Sequence, residues 1–136
     1  MTKKMFMLAA GLALTFAIHA TTSVAAPSVS PLTVVTLEDG RAILANEANL
    51  TVYTFDSDQP NVSNCYNGCA AAWPPVLVAE TATLEAPLGF TVRKDGAHQI
   101  TLNGQPLYLY VGDGAPGEIV GDGIGGIWHL VLAPQN

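Results

Sequence analysis

The sequence predicts an all-β fold, a small sandwich or closed barrel built from two repeated β-meanders, with at most one short helical turn. Three observations carry that expectation. The segments "LTVVTLE", "LTVYTF", "FTVRK", "HQITL", "PLYLYV" and "IWHLVLA" are short and rich in Val, Ile, Thr, Tyr and Leu, the side chains that suit a pleated, half-buried surface. No window beyond residue 26 sustains an apolar period near 3.6 between helix caps, so the crossover helices of a parallel α/β fold are missing. The chain also matches itself at an offset of 55 residues.

In chain order, residues 1–25 come first. Lys3 and Lys4 precede an apolar run from Met5 to Ile18, and Ser23 and Ala25 supply the small residues of a cleavage site. This reads as a secretory signal peptide, too short for a span that needs roughly 20 apolar residues. The expected mature chain, residues 26–136, has the size of one domain. Removing the leader takes away two of the five basic residues and none of the eleven acidic ones, which leaves Arg41, Arg93 and Lys94 and a net charge of −8. That field repels nucleic acid and anionic headgroups, so neither nucleic-acid binding nor stable membrane insertion of the mature chain is expected. All three methionines and His19 leave with the leader, and His98 and His129 remain.

The repeats run over about 32–79 and 88–134. "YTFDSD" from Tyr53 aligns with "YLYVGD" from Tyr108, pairing Phe55 with Tyr110 and Asp58 with Asp113. Continued without a gap, the match pairs Gly68 with Gly123, Trp73 with Trp128, Val76 with Val131 and Leu77 with Leu132. With a one-residue adjustment upstream, Asp39-Gly40 aligns with Asp95-Gly96, a turn signal in each copy. Side chains alternate along a strand, so Tyr53 and Phe55 share one face, as do Tyr108 and Tyr110, while Leu107, Leu109 and Val111 face the other way. Two apolar faces make "PLYLYV" a central strand covered on both sides, and the tyrosines are expected to pack with their hydroxyls hydrogen-bonded at the edge. Asp58 and Asp113 are expected to cap turns by accepting backbone N–H bonds.

Between the copies of the motif lies "CYNGCAAAWPP", which holds the one candidate helical turn. In an oxidising compartment, two cysteines without a third make a Cys65–Cys69 disulfide the default. Closing five residues gives about 2 kcal/mol by chain entropy, enough to brace a loop and set the approach of Trp73. The competing reading is a copper site. Two thiolates suit Cu(I), with His98 or His129 as the further ligand, although no methionine is left to assist. Zinc is a weaker fit, because it would use every Cys and His that remains. Both histidines are expected at a sheet edge.

No nucleophile elbow is present, and nothing in the sequence orients either histidine as a base, so a catalytic function is not expected. The acidic loop with Asp56, Asp58 and Asn61 has Pro60 where a calcium-loop ligand would stand, and it lacks the glycine and the terminal glutamate.

The motif Tyr-x-aromatic-x-x-Asp, present twice, together with "CYNGCAAAWPP", "DGAHQITLNGQPLYLYVGD" and "IWHLVL", resembles a family of bacterial secreted repeat proteins, often described as predicted lipoproteins. The resemblance implies an exported bacterial protein, periplasmic or secreted, from a family with no established activity. This chain departs from the lipoprotein label because no cysteine stands at the cleavage point. The expectation is therefore a non-enzymatic envelope module without a cofactor, whose partner is an envelope protein or a small ligand, with periplasmic copper handling as the alternative.

Overall fold

The computed structural model describes residues 10–25 and 27–135. The leader assigned to residues 1–25 therefore lies partly outside the described residues, and its described part, 10–25, carries no helix or strand. From residue 33 the described elements are β1 (Thr33–Thr36), β2 (Ala42–Ala45), β3 (Tyr53–Phe55), α1 (Gly68–Ala72), β4 (Leu77–Val78), β5 (Leu88–Val92), β6 (His98–Leu102), β7 (Gln105–Pro106), a 3-10 turn (Ile124–Gly126) and β8 (Trp128–Leu130). The fold is mostly antiparallel β, as the composition of the segments predicts, and no closed barrel forms among the described residues.

Each repeat opens as a hairpin, β1 with β2 and β5 with β6. The two turns are built alike. Asp39 and Asp95 accept the backbone N–H two residues on, each at 3.0 Å, and Gly40 and Gly96 take φ of 88° and 86°, where a side chain would be strained.

After the hairpins and the short approach of each chain to the centre, the repeats exchange their last strands. The last strand of repeat 1, β4, lies on β6 of repeat 2, with Leu77 opposite Gln99. In the equivalent exchange Leu132, beyond β8, lies opposite Ile43 in β2. At the centre Tyr53 and Tyr108 face each other and exchange both backbone bonds, at 2.8 and 2.9 Å. Several bonds recur in pairs: Leu44 N–H to Val131 and Ile100 N–H to Val76, then Asp56 N–H to Ile127 and Val111 N–H to Ala72. A pseudo-two-fold axis thus passes between the two tyrosines.

Residues 52–53 and 107–108 separate two cores. Val52 and Leu107 turn to an aliphatic cluster with Leu32, Leu44, Val76 and Ile100. Tyr53 and Tyr108 turn to an aromatic cluster with Trp73, Trp128 and Cys65. All four central residues are fully buried, and Tyr108 is bridged on one side to Tyr53 and on the other to Pro75. Leu107 and Tyr108 are covered on both faces as expected of a central strand, but the regular pairing there shrinks to bridges at Tyr108, and Val111 is exposed.

Gly121 makes the aromatic side possible. A Cβ there would sit 2.9 Å from both Trp73 Cη2 and Tyr53 Cζ, closer than real contacts allow. Gly121→Ala is expected to lower stability by about 1–3 kcal/mol through overpacking. Gly68→Ala, where an added Cβ meets nothing within 4 Å, should be neutral or stabilising by up to about 1 kcal/mol. Urea unfolding midpoints of the two variants check this, and equal midpoints would remove Gly121 from the account.

Candidate functional site

The motif residues converge on the axis. Trp73, delivered by the end of α1, and Trp128, delivered by the 3-10 turn, stack with ring centroids 3.8 Å apart and planes within 1°. Phe55 stacks outside Trp128 at 4.2 Å, and Tyr110 stacks outside Trp73 at 4.3 Å. The ladder of four rings therefore alternates between the repeats. Tyr53 meets Trp73 edge-on at 5.4 Å, and Tyr108 meets Trp128 edge-on at 5.2 Å.

The motif's tyrosine and aspartate are also exchanged. The Tyr53 hydroxyl donates to Asp113 Oδ2 at 2.6 Å, and the Tyr108 hydroxyl donates to Asp58 Oδ2 at 2.7 Å. Each carboxylate caps its own loop with its other oxygen: Asp58 accepts Asn64 N–H at 2.7 Å and Asp113 accepts Val120 N–H at 2.8 Å. Turn capping by the aspartates is thus present, and the bond to the other repeat's tyrosine is added to it. These equivalent caps show a one-residue slip in the loops. The ungapped match sets Val120 against Cys65, whereas its structural counterpart is Asn64.

Burial governs the electrostatics. It pushes the carboxyls of Asp58 and Asp113 above the ordinary carboxylate range, with the donated hydrogen bonds opposing it. It also raises both tyrosine hydroxyls, which therefore remain donors.

One side of the axis carries an additional buried polar cluster. Arg93 is almost fully buried and donates through Nη1 to Ser63 Oγ and Gln99 Oε1, each at 2.7 Å, and through Nη2 to the Cys65 carbonyl at 2.6 Å. Its guanidinium lies 4.2 Å from the Tyr66 ring centroid. Ser63 Oγ is in turn 2.6 Å from the Tyr108 hydroxyl, and Gln99 donates to the Leu107 carbonyl at 2.8 Å. A continuous chain of bonds thus joins Asp58, Tyr108, Ser63, Arg93 and Gln99. The sequence reading missed Arg93 and Gln99 as structural residues. The signal was in the alignment, which sets them against Leu37 and Ile43, so polar groups occupy positions that are aliphatic in the other copy.

Cys65 and Cys69 are joined, with Cα atoms 5.3 Å apart, and Cys65 is fully buried under the aromatic cluster. The histidines proposed as copper ligands have other neighbours. His98 stacks on Phe90 at 4.5 Å, and His129 Nε2 lies 2.9 Å from Asp56 Oδ2. His98 is also not on an edge strand, because β6 has β5 on one side and β4 and β7 on the other. Among the described residues no group of three or more His, Cys, Asp or Glu side chains is placed to hold a metal ion.

An apolar concavity lies away from the axis. A groove of about 540 Å³ runs beside β4, floored by Leu32, Val76, Ile100 and Leu109 and walled by Leu84 of the 79–87 connection, with Glu47 at its rim. That volume and apolar floor suit a small ligand or a side chain of a partner.

The family described as a secreted repeat of unknown function matches twice, at residues 33–77 and 89–132, and the chain belongs to that family. No curated protein and no solved structure matches the chain. Among the described residues no helix is long and apolar enough to cross a membrane.

Removing either motif hydroxyl leaves a carboxylate short of a donor, the buried Asp113 for Tyr53 and the half-buried Asp58 for Tyr108. Tyr53→Phe and Tyr108→Phe are each expected to cost about 1–3 kcal/mol in denaturant unfolding. The carboxylates also give a pH dependence. Their folded values are raised, so the stability they contribute is full below the unfolded value of about 3.9 and is lost as pH rises through the folded values. Asp58→Asn with Asp113→Asn removes this contribution. Relative to that variant, the natural chain should be most stable near pH 4 and lose ground towards pH 7, and a difference that grows with pH would contradict the assignment.

Proposed function

We propose that this protein is an exported, periplasmic or secreted, non-enzymatic module of the bacterial cell envelope that binds a small ligand or an envelope protein through the groove beside β4. Export is supported by the leader pattern of residues 1–25 and by the family's description as secreted. The observation that carries the binding reading is how the motif side chains are used. Tyr53 is bonded to Asp113 and Tyr108 to Asp58 across the axis, and Trp73 and Trp128 are buried between the repeats, so the motif acts as an internal clamp. The groove beside β4 offers a visitor the half-buried Leu84 and Leu109 above the buried Leu32, Val76 and Ile100.

Recovery of the protein from its own periplasm and medium is expected to give a chain beginning at residue 26, and a full-length cytoplasmic chain would sink the export reading. Native mass spectrometry of that material, incubated with envelope extract, is expected to show a retained molecule that Ala82→Trp, filling the groove wall, displaces at least tenfold. Retention unchanged by Ala82→Trp would move the binding elsewhere, and chemical conversion of the retained molecule would overturn the non-enzymatic reading.

A further inference from the structure

The pairing of the repeats defines a self-complementary surface. What repeat 1 offers around the axis (the edge of Tyr53, the last strand at Leu77, the ring of Trp73 and the carboxylate of Asp58) is what repeat 2 offers with Tyr108, Leu132, Trp128 and Asp113. Within one repeat the backbone pairing is confined to a hairpin and its approach to the central strand, as in Val52 N–H to Leu44 and Leu107 N–H to Ile100. The clamp and both exchanged strands belong to the contact between repeats. Such an interface is isologous, and it does not depend on the two halves sharing one chain.

We propose that this surface also closes between two copies of the chain: opening at the 79–87 connection lets repeat 1 of one copy complete repeat 2 of another, giving a strand-exchanged two-fold dimer. The connection is suited to be the hinge. From Ala79 to Glu85 its backbone bonds are local, Ala82 N–H to Ala79 and Leu88 N–H to Glu85, and its one distant bond, Asn103 N–H to the Pro87 carbonyl, stays within repeat 2; of its side chains Leu84 packs on the aliphatic core while Glu80, Thr81, Thr83 and Glu85 are exposed. The partner's chemistry follows from the bonds themselves, since each donor and acceptor at the axis has its match in the equivalent residue of a second copy.

The length of the connection sets the balance. Val78 pairs with His98 and Leu88 with Leu102, on opposite sides of β6. The ends are therefore two strand spacings apart sideways and four residues apart lengthwise, about 16 Å in a straight line. Nine residues reach about 30 Å, which closes the single chain comfortably, whereas three residues reach no more than about 14 Å. A chain lacking residues 80–85, with Ala79, Ala86 and Pro87 left between β4 and β5, cannot close on itself and has to close on a second copy.

The test is light scattering behind size exclusion on the mature protein with that deletion, alongside a control whose 79–87 segment is a Gly/Ser linker of equal length. The expected result is a doubled mass for the shortened chain, with the near-ultraviolet circular dichroism of the stacked tryptophans retained, and a single mass for the control. A folded monomer from the shortened chain overturns the proposal. Should the shortened chain fail to fold, the natural-length chain refolded from denaturant at rising concentration decides: a dimer that returns to monomer only through unfolding supports the exchange, and monomer at every concentration overturns it.

Discussion

The contact on which the rest of this structure depends is the stack of Trp73 on Trp128, one ring from each repeat, with the exchanged tyrosine–aspartate bonds on either side. Neither repeat can complete that contact alone. Each tryptophan is brought to the axis by a helical turn that ends just before it, and each lies under the edge of a tyrosine whose hydroxyl reaches across to the other repeat. Aromatic burial supplies the attraction, and the hydrogen bonds supply the register, because a short hydroxyl-to-carboxylate bond tolerates little displacement. The exchanged strands follow from this arrangement. Once Tyr53 and Tyr108 pair at the centre, the chain leaving each tryptophan runs along the other repeat's hairpin, where Leu77 meets Gln99 and Leu132 meets Ile43.

Against that symmetry the cysteine loop stands out as a departure with its own support. In repeat 1 the loop is closed by a disulfide and tied to Arg93 through the Cys65 carbonyl and Ser63. A buried guanidinium is costly unless its donors are met, and here they are met by neutral oxygens, an aromatic face and the more distant charge of Asp58. Arg93 binds loop and hairpin together, and through Ser63 and Tyr108 it joins the loop to the clamp. The cysteines therefore brace a loop that is already held from beneath, and their attachment reaches as far as the axis.

Much of this was legible in the sequence. The duplication, the shared face of Tyr53 and Phe55 and the central position of "PLYLYV" all follow from alternation and self-similarity. The exchange of strands does not, because the alternation within "LTVYTF" or "IWHLVLA" is the same whether the strand pairs with its own hairpin or with the other. The 3-10 turn before Trp128 was hidden by its glycines, which carry no helical preference, and only its alignment with "GCAAAW" pointed to it. Arg93 and Gln99 were hidden for another reason. Polar residues in a strand are read as solvent-facing, and only comparison with Leu37 and Ile43 marks their positions as interior.

The same symmetry says where variation between the halves can matter. At the axis the stacked rings and the tyrosine–aspartate bonds are matched between the repeats, so a change in one of them disturbs a contact that both repeats share. Away from the axis the halves are free to differ, and they do. Asn46 and Glu47 stand at the rim of the groove where the other repeat has Leu102 and Asn103, and the 79–87 segment that walls the groove lies between the repeats, outside both. The groove is thus bounded by residues in which the halves differ, and the motif pairs at the axis do not set its shape. It is a feature of this chain's own sequence, set on a framework whose motif residues are committed to holding the halves together. Selectivity for a partner is therefore to be sought in the connection and the rim, while the repeated motif keeps the halves joined.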